Sequence, residues 1–110
     1  MPGKFEVYKD KAGEFRFRLK AANGQNILSS EGYKTKSSCM NGVESVKKNS
    51  QSKDRFEKKT TPSGKFRFSL TSSNGQTVGT SQSYASDSGC RNGMKSVAEC
   101  APGASIDDQA

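Results

Sequence analysis

In "FEVYK" (5–9) and "EFRFRLKA" (14–21) apolar and polar residues alternate, the period of a β-strand with one dry face. Phe15, Phe17 and Leu19 then point one way, and Arg16, Arg18 and Lys20 the other. "KFRFSLTSSNGQ" (65–76) repeats the arrangement, with Phe66, Phe68 and Leu70 opposed to Lys65, Arg67 and Ser69. Turn sequences separate the runs. "DKAG" and "TPSG" end in a Gly that tolerates positive φ, and Asn23-Gly24 and Asn74-Gly75 are strong hairpin signals ahead of "QNILSS" and "QTVGTS". Each half of the chain is thus expected to form three antiparallel strands.

The period then changes. Cys39, Val43 and Val46, matched by Cys90, Met94 and Val97, form one stripe of an amphipathic helix, with Thr35 and Ser86 as N-caps. Asn41-Gly42 and Asn92-Gly93 would suit a turn, but the apolar stripe continues through them in both halves. A Gly facing a sheet lets a helix pack closely, at about 1 kcal/mol relative to Ala. The polar "NSQSK" (49–53) links the first helix to the strand "DRFEKKT"; "CAPG" stops the second helix, and "ASIDD" can add a short strand carrying Ile106.

Offsetting the sequence by 56 − 5 = 51 aligns residues 5–49 with 56–100 without a gap and gives roughly 18 identical pairs, the mark of a duplicated module. Three strands under one helix make a small core with an open edge. Two copies joined edge to edge supply the missing partner within one chain, with internal pseudo-twofold symmetry. The expected fold is α+β: two tandem β-β-β-α(-β) repeats merging into one antiparallel sheet with two helices packed on one face. The expected limits are a single compact domain at 1–110, with repeat 1 at 4–51, repeat 2 at 55–101, and a short C-terminal strand or tail at 102–110.

These residues resemble the YegP-like family, bacterial proteins of unknown function built from one or two copies of a domain of about this length. The likeness covers residues 4 to about 100 and rests on "FEVYKD", "GEFRFRLKAANGQ" and "EGYKTKSSCMNGVESVKKN" with their partners "RFEKKT", "GKFRFSLTSSNGQ" and "YASDSGCRNGMKSV". The resemblance implies a three-strands, helix, strand unit whose two copies merge into one sheet with the final strands exchanged. "DRFEKKT" and "ASIDD" would then be the strands that follow the helices. It brings no activity, cofactor or catalytic residue to carry over.

Composition narrows the chemistry. Only 30% of the 110 residues are hydrophobic and none is Trp, so the core must rest chiefly on the six Phe. There is no His, and the three Cys are too far apart for a CxxC metal or redox motif. Cys39 and Cys90 fall on the apolar helix stripe as buried, reduced thiols. The carboxylates show no catalytic spacing; Glu6 and Glu57 recur at polar strand positions, which reads as a solvated strand face. No Gly-rich phosphate loop is present. No catalytic, cofactor-binding or metal residue and no cofactor is therefore assigned. "MPGKFEVYKD" lacks the apolar core of a signal peptide and no run is long enough to span a membrane, so a cytoplasmic monomer without membrane contact is expected.

The formal net charge of +7 favours an acidic partner, a nucleic acid or an acidic protein. Residues 1–51 hold 10 Lys/Arg and 5 Asp/Glu, and residues 52–110 hold 8 and 6, so the first half is the more basic. The acidic Asp107-Asp108 reads either as a screen for the second half or, preferred, as a solubilising tail. Arg16, Arg18, Lys20, Lys65 and Arg67 should project from the face opposite the helices and are the candidate polyanion-binding face; the plainer reading is a soluble outer face. Stacking aromatics are scarce there, Tyr8 being the exception, which disfavours a sequence-specific reader of single strands. Three functions follow in order: a non-catalytic binding module, a nonspecific nucleic-acid or polyanion binder, and a protein-interaction module that recruits a partner by strand addition at the sheet edge.

Overall fold

The computed structural model describes residues 3–110, Lys53 by its backbone alone. Met1 and Pro2, which begin the expected domain and the stretch read for a signal peptide, lie outside the described residues. The elements are β1 (Lys4–Lys9), β2 (Phe15–Lys20), β3 (Asn26–Ser29), α1 (Lys36–Asn49), β4 (Phe56–Thr60), β5 (Phe66–Thr71), β6 (Thr77–Thr80), α2 (Asp87–Cys100) and β7 (Ser105–Asp108), with a 3-10 turn at Lys53–Arg55. The strands form one sheet in the order β4-β5-β6-β3-β2-β1-β7, with both helices on one face.

Local chemistry accounts for most of this. All four hairpins use a three-residue loop closed by the same pair of bonds. At the first, the Asp10 N–H donates to Glu14 O (2.9 Å) and the Gly13 N–H to Asp10 O (3.1 Å), with Gly13 at φ 84°. A type I turn followed by a left-handed Gly matches the twist of the strands it joins. The helices start where the capping side chains lie: Thr35 Oγ1 accepts from the Ser38 N–H at 3.1 Å and Ser86 Oγ from the Gly89 N–H at 3.0 Å. Each helix runs 14 residues without a break at its Asn-Gly pair. The reason lies beneath the glycines, where a Cβ on Gly42 would stand 2.5 Å from Tyr33 Oη and 2.9 Å from the Phe17 ring.

The core sits between the sheet and the helices. Phe5, Phe17, Leu19, Phe68 and Leu70 are fully buried with Val43, Val46 and Val97 of the helices. Phe17 stacks on Tyr33 with centroids 6.3 Å apart, and Phe68 repeats this on Tyr84 at 6.3 Å. The halves join where β3 meets β6 antiparallel, so the pseudo-twofold axis passes between these strands.

The strands after the helices are exchanged. The chain leaving α1 enters β4 on the far edge beside β5, and the chain leaving α2 returns to β1 as β7. Five of the six strand pairings are antiparallel; β7 runs parallel to β1, with Lys4 opposite Ser105 and Val7 opposite Asp108. The acidic pair at 107 and 108 is therefore no solubilising tail. Asp107 reaches Lys4 at 3.8 Å and Asp108 pairs with Lys36 at the start of α1, because the sheet brings these distant cations to the end of the chain.

Candidate functional site

The two edges of the sheet are treated differently. On the first-half edge, the Gln109 N–H donates to Val7 O at 2.7 Å and the Ser105 N–H to Gly3 O at 3.3 Å, so β7 takes up the outward groups of β1. Beneath that strand Phe5 and Val7 are fully buried. Beyond β4 no strand follows among the described residues. Phe66 gives its N–H to Tyr84 O (2.8 Å) and Phe68 to Ser81 Oγ (3.0 Å), both away from β4. Their cross-strand partners Thr60 and Lys58 must then turn their own N–H and C=O outward, because opposite residues of an antiparallel pair either bond to each other or face apart.

Beside this open edge lies a groove of about 810 Å³ between β4 and α2. Phe56, Met94 and Ala98 supply its apolar surface and Lys58, Arg91 and Lys95 its charge. Phe56, the repeat counterpart of buried Phe5, is only half-buried here. Lys58 and Arg91 are both held by Asp87 in the first turn of α2, Arg91 at 2.9 Å. These cations, Lys58 first, keep the Asp87 carboxyl below its ordinary range.

The five cations singled out in the sequence lie on the face opposite the helices, but in two groups. The pseudo-twofold sets equivalent residues at diagonally opposite corners, with Ser29, Thr80 and Ser69 between them, so the positive surface is not continuous. In the first corner Arg16, Arg18 and Lys20 carry carboxylate partners. Arg16 Nε stands 2.6 Å from Asp10, Arg18 Nε 2.6 Å from Glu6, and Lys20 Nζ 3.3 Å from the same Glu6 oxygen. In the opposite corner Lys65 and Arg67 are exposed and Arg67 lies directly across from Lys59; none of the three has an ion-pair partner among the described residues. The first half has the larger formal excess, yet the uncompensated cations of this face belong to the second.

Glu6 is also not the solvated residue expected from its strand position. It is 6% exposed, covered by Arg18, Lys20 and Lys4, with the Arg18 guanidinium also 4.5 Å above the Tyr8 ring. The hydrogen bond from Arg18 holds its carboxyl below the usual range, against the opposing effect of burial. Its counterpart Glu57 faces Ser69 instead of Arg and is exposed. A compensating Arg on the neighbouring strand is the signal that separates them. Cys39 and Cys90 are fully buried, neither is in a disulfide, and burial pushes both thiols up. Among the described residues no group of three Cys, Asp or Glu side chains gathers in a way that would hold a metal ion, and no helix is long and apolar enough to cross a membrane.

The sequence profile of the family described as "Domain of unknown function (DUF1508)" matches twice, at residues 10–57 and 62–108. The chain belongs to this family. Each match starts at a hairpin, takes in two strands and a helix, and ends in the exchanged strand. Relatives include the UPF0339 protein in the ptx operon 5' region of Stutzerimonas stutzeri, 59% identical with 96% of each chain covered. The UPF0339 protein YegP of Escherichia coli (strain K12) is 46% identical with 88% of each chain covered. The solution structure of a Shewanella oneidensis UPF0339 protein superposes with a TM-score of 0.93 at 44% identity, covering 98% of this chain and 92% of that one. That of E. coli yegP superposes with a TM-score of 0.91 at 43% identity, covering 99% and 94%. The YegP-like resemblance is thereby established, and none of these names carries an activity.

Proposed function

We propose that this protein is a non-catalytic binding module that takes an extended segment of a partner protein by strand addition along β4. The inequality of the two edges carries this reading: β7 occupies the outward groups of β1, while those of Lys58 and Thr60 stand beside an apolar groove. Strand addition draws affinity from unpaired main-chain groups and specificity from a pocket for alternate side chains, and β4 offers both. The lack of His and the burial of Cys39 and Cys90 support the non-catalytic part of this reading. Buried thiols outside disulfides suit a reducing cytoplasm, and a duplication that supplies its own sheet partner suits a monomer.

The test is an amide-shift titration of the labelled protein with acidic, neutral and basic extended peptides, repeated on Lys58→Pro. Lys58 turns its N–H outward, so Pro blocks the edge and leaves the bonds between β4 and β5 in place. At least one peptide class should shift β4 and lose its effect in the variant. Shifts that survive Lys58→Pro, or none from any class, would remove the reading.

A second reading is loose contact with a polyanion through the outer face, formed by Arg16, Arg18, Lys20, Lys65 and Arg67. Like charges set directly opposite on a sheet are unfavourable, and Lys59 facing Arg67 without a carboxylate favours an external anion at that corner. Short DNA and RNA at two salt concentrations test it. Shifts should concentrate at Lys59, Lys65 and Arg67 and vanish at high salt; none at low salt would exclude the reading.

A further inference from the structure

We infer that the strand accepted by β4 is β4 of a second copy of this chain, laid antiparallel with Lys58 on the twofold axis. This inference rests on the strand-addition reading above and names the partner and its register.

The main chain permits this pairing at every position. Lys58 and Thr60 turn their N–H and C=O outward, and Phe56 lies at the same phase of the strand. In a fully overlapped antiparallel pair Lys58 meets Lys58, and Phe56 meets Thr60 of the second copy, so outward groups face outward groups throughout. A slip of one residue would set outward groups against groups already bonded to β5. The chain joins its own halves in the same manner, where β3 meets β6 antiparallel with both helices on one face.

The charges choose among the remaining registers. Glu57 and Lys59 project from the outer face, opposite Ser69 and Arg67, and neither has an ion-pair partner among the described residues. Full overlap sets Glu57 of each copy against Lys59 of the other, in the closer, non-hydrogen-bonded kind of pair. Each carboxylate thus meets the one Lys of β4 that faces an uncompensated Arg67. Shifting the pairing by two residues would instead set Glu57 against Glu57 in one direction and Lys59 against Lys59 in the other. On the groove face Lys58 meets Lys58 at the wider spacing, and each is already held by Asp87 of its own chain.

The groove fits the same arrangement. The twofold axis stands perpendicular to the sheet, so both α2 helices lie on one side and the two grooves open toward each other. Phe56, Met94 and Ala98 of both copies then line a joint cleft. The seam between β3 and β6 is closed within the chain, and β4 offers only five residues a side, so one copy folds alone and the pair forms as concentration rises.

The test is sedimentation equilibrium of the full chain from about 10 μM to about 1 mM, with amide shifts of the labelled chain recorded over the same series. The mass should rise from one chain toward two and the shifts should fall on residues 56–60. Lys58→Pro should remain a single chain with the rest of its spectrum unchanged. Glu57→Lys and Lys59→Glu should each weaken pairing about tenfold, since each turns both Glu–Lys contacts into like-charge ones. An equimolar mixture of these two variants should pair again, because their charges match across the axis; a variant that had merely failed to fold would not be rescued. A single chain at every concentration would overturn the inference and leave strand addition to the peptide titration above. A dimer that persists in Lys58→Pro, or whose shifts lie away from β4, would also overturn it. Pairing at β4 that is indifferent to both charge changes would overturn the register.

Discussion

Ser29 on β3 pairs with Thr80 on β6, and Thr80 is Ser29's own counterpart one repeat later, since 80 − 29 = 51. A residue that meets its own copy marks the pseudo-twofold axis. Everything related by that axis is duplicated on either side of the β3–β6 seam, so a difference between related sites reflects a difference in their neighbours. The edges diverge for this reason: β1 has β7 beside it, and β4 has a groove.

The aromatic core should be energetically symmetric. Phe17 and Phe68 are both fully buried and each stacks on the Tyr of its own half. Phe17→Ala and Phe68→Ala should each cost about 3–5 kcal/mol in chemical denaturation. A loss below about 1 kcal/mol at both sites would be incompatible with the buried rings described here.

Gly42 and Gly93 test how closely the helices approach the sheet. Ala would ordinarily favour a helix by about 1 kcal/mol. Here its methyl would press on the Tyr33 or Tyr84 ring, so Gly42→Ala and Gly93→Ala should destabilise by about 1–3 kcal/mol instead. Thermal melting gives the sign directly.

Glu6 ties part of the stability to pH. Its folded carboxyl titrates below the ordinary 4.5, chiefly through the Arg18 hydrogen bond, so its contribution is present above about pH 4.5 and is lost as pH falls through the lower folded value. A carboxyl titration followed by NMR should place its midpoint below 4.5, and Arg18→Gln should raise it. An unchanged midpoint in that variant would show that Arg18 is not the cause.

The thiols of Cys39 and Cys90 should resist alkylation in the native state, since both are buried and desolvation raises their ionisation above the usual thiol range. Iodoacetamide at pH 8 should label them only after denaturant is added. Rapid native labelling of either would show access that the fold described here does not provide.

The local features were legible before any contact was known. Alternation in "FRFRL" and "FRFSL" set the inward Phe and outward Arg, the Gly of each turn set the hairpins, and Thr35 and Ser86 set the helix starts, because these depend on neighbours a few residues away. Repetition at one offset determined that two such units share a fold. The tertiary structure alone decided the rest, since it depends on residues far apart in the chain. Arg18 opposite Glu6 turns a surface carboxylate into a buried one, while Ser69 opposite Glu57 leaves the counterpart in water. The parallel return of Ser105–Asp108 to β1 converts an apparent acidic tail into a structural strand. Closing one edge that way distinguishes it from the other, because β7 lies beyond β1 while no strand lies beyond β4 among the described residues.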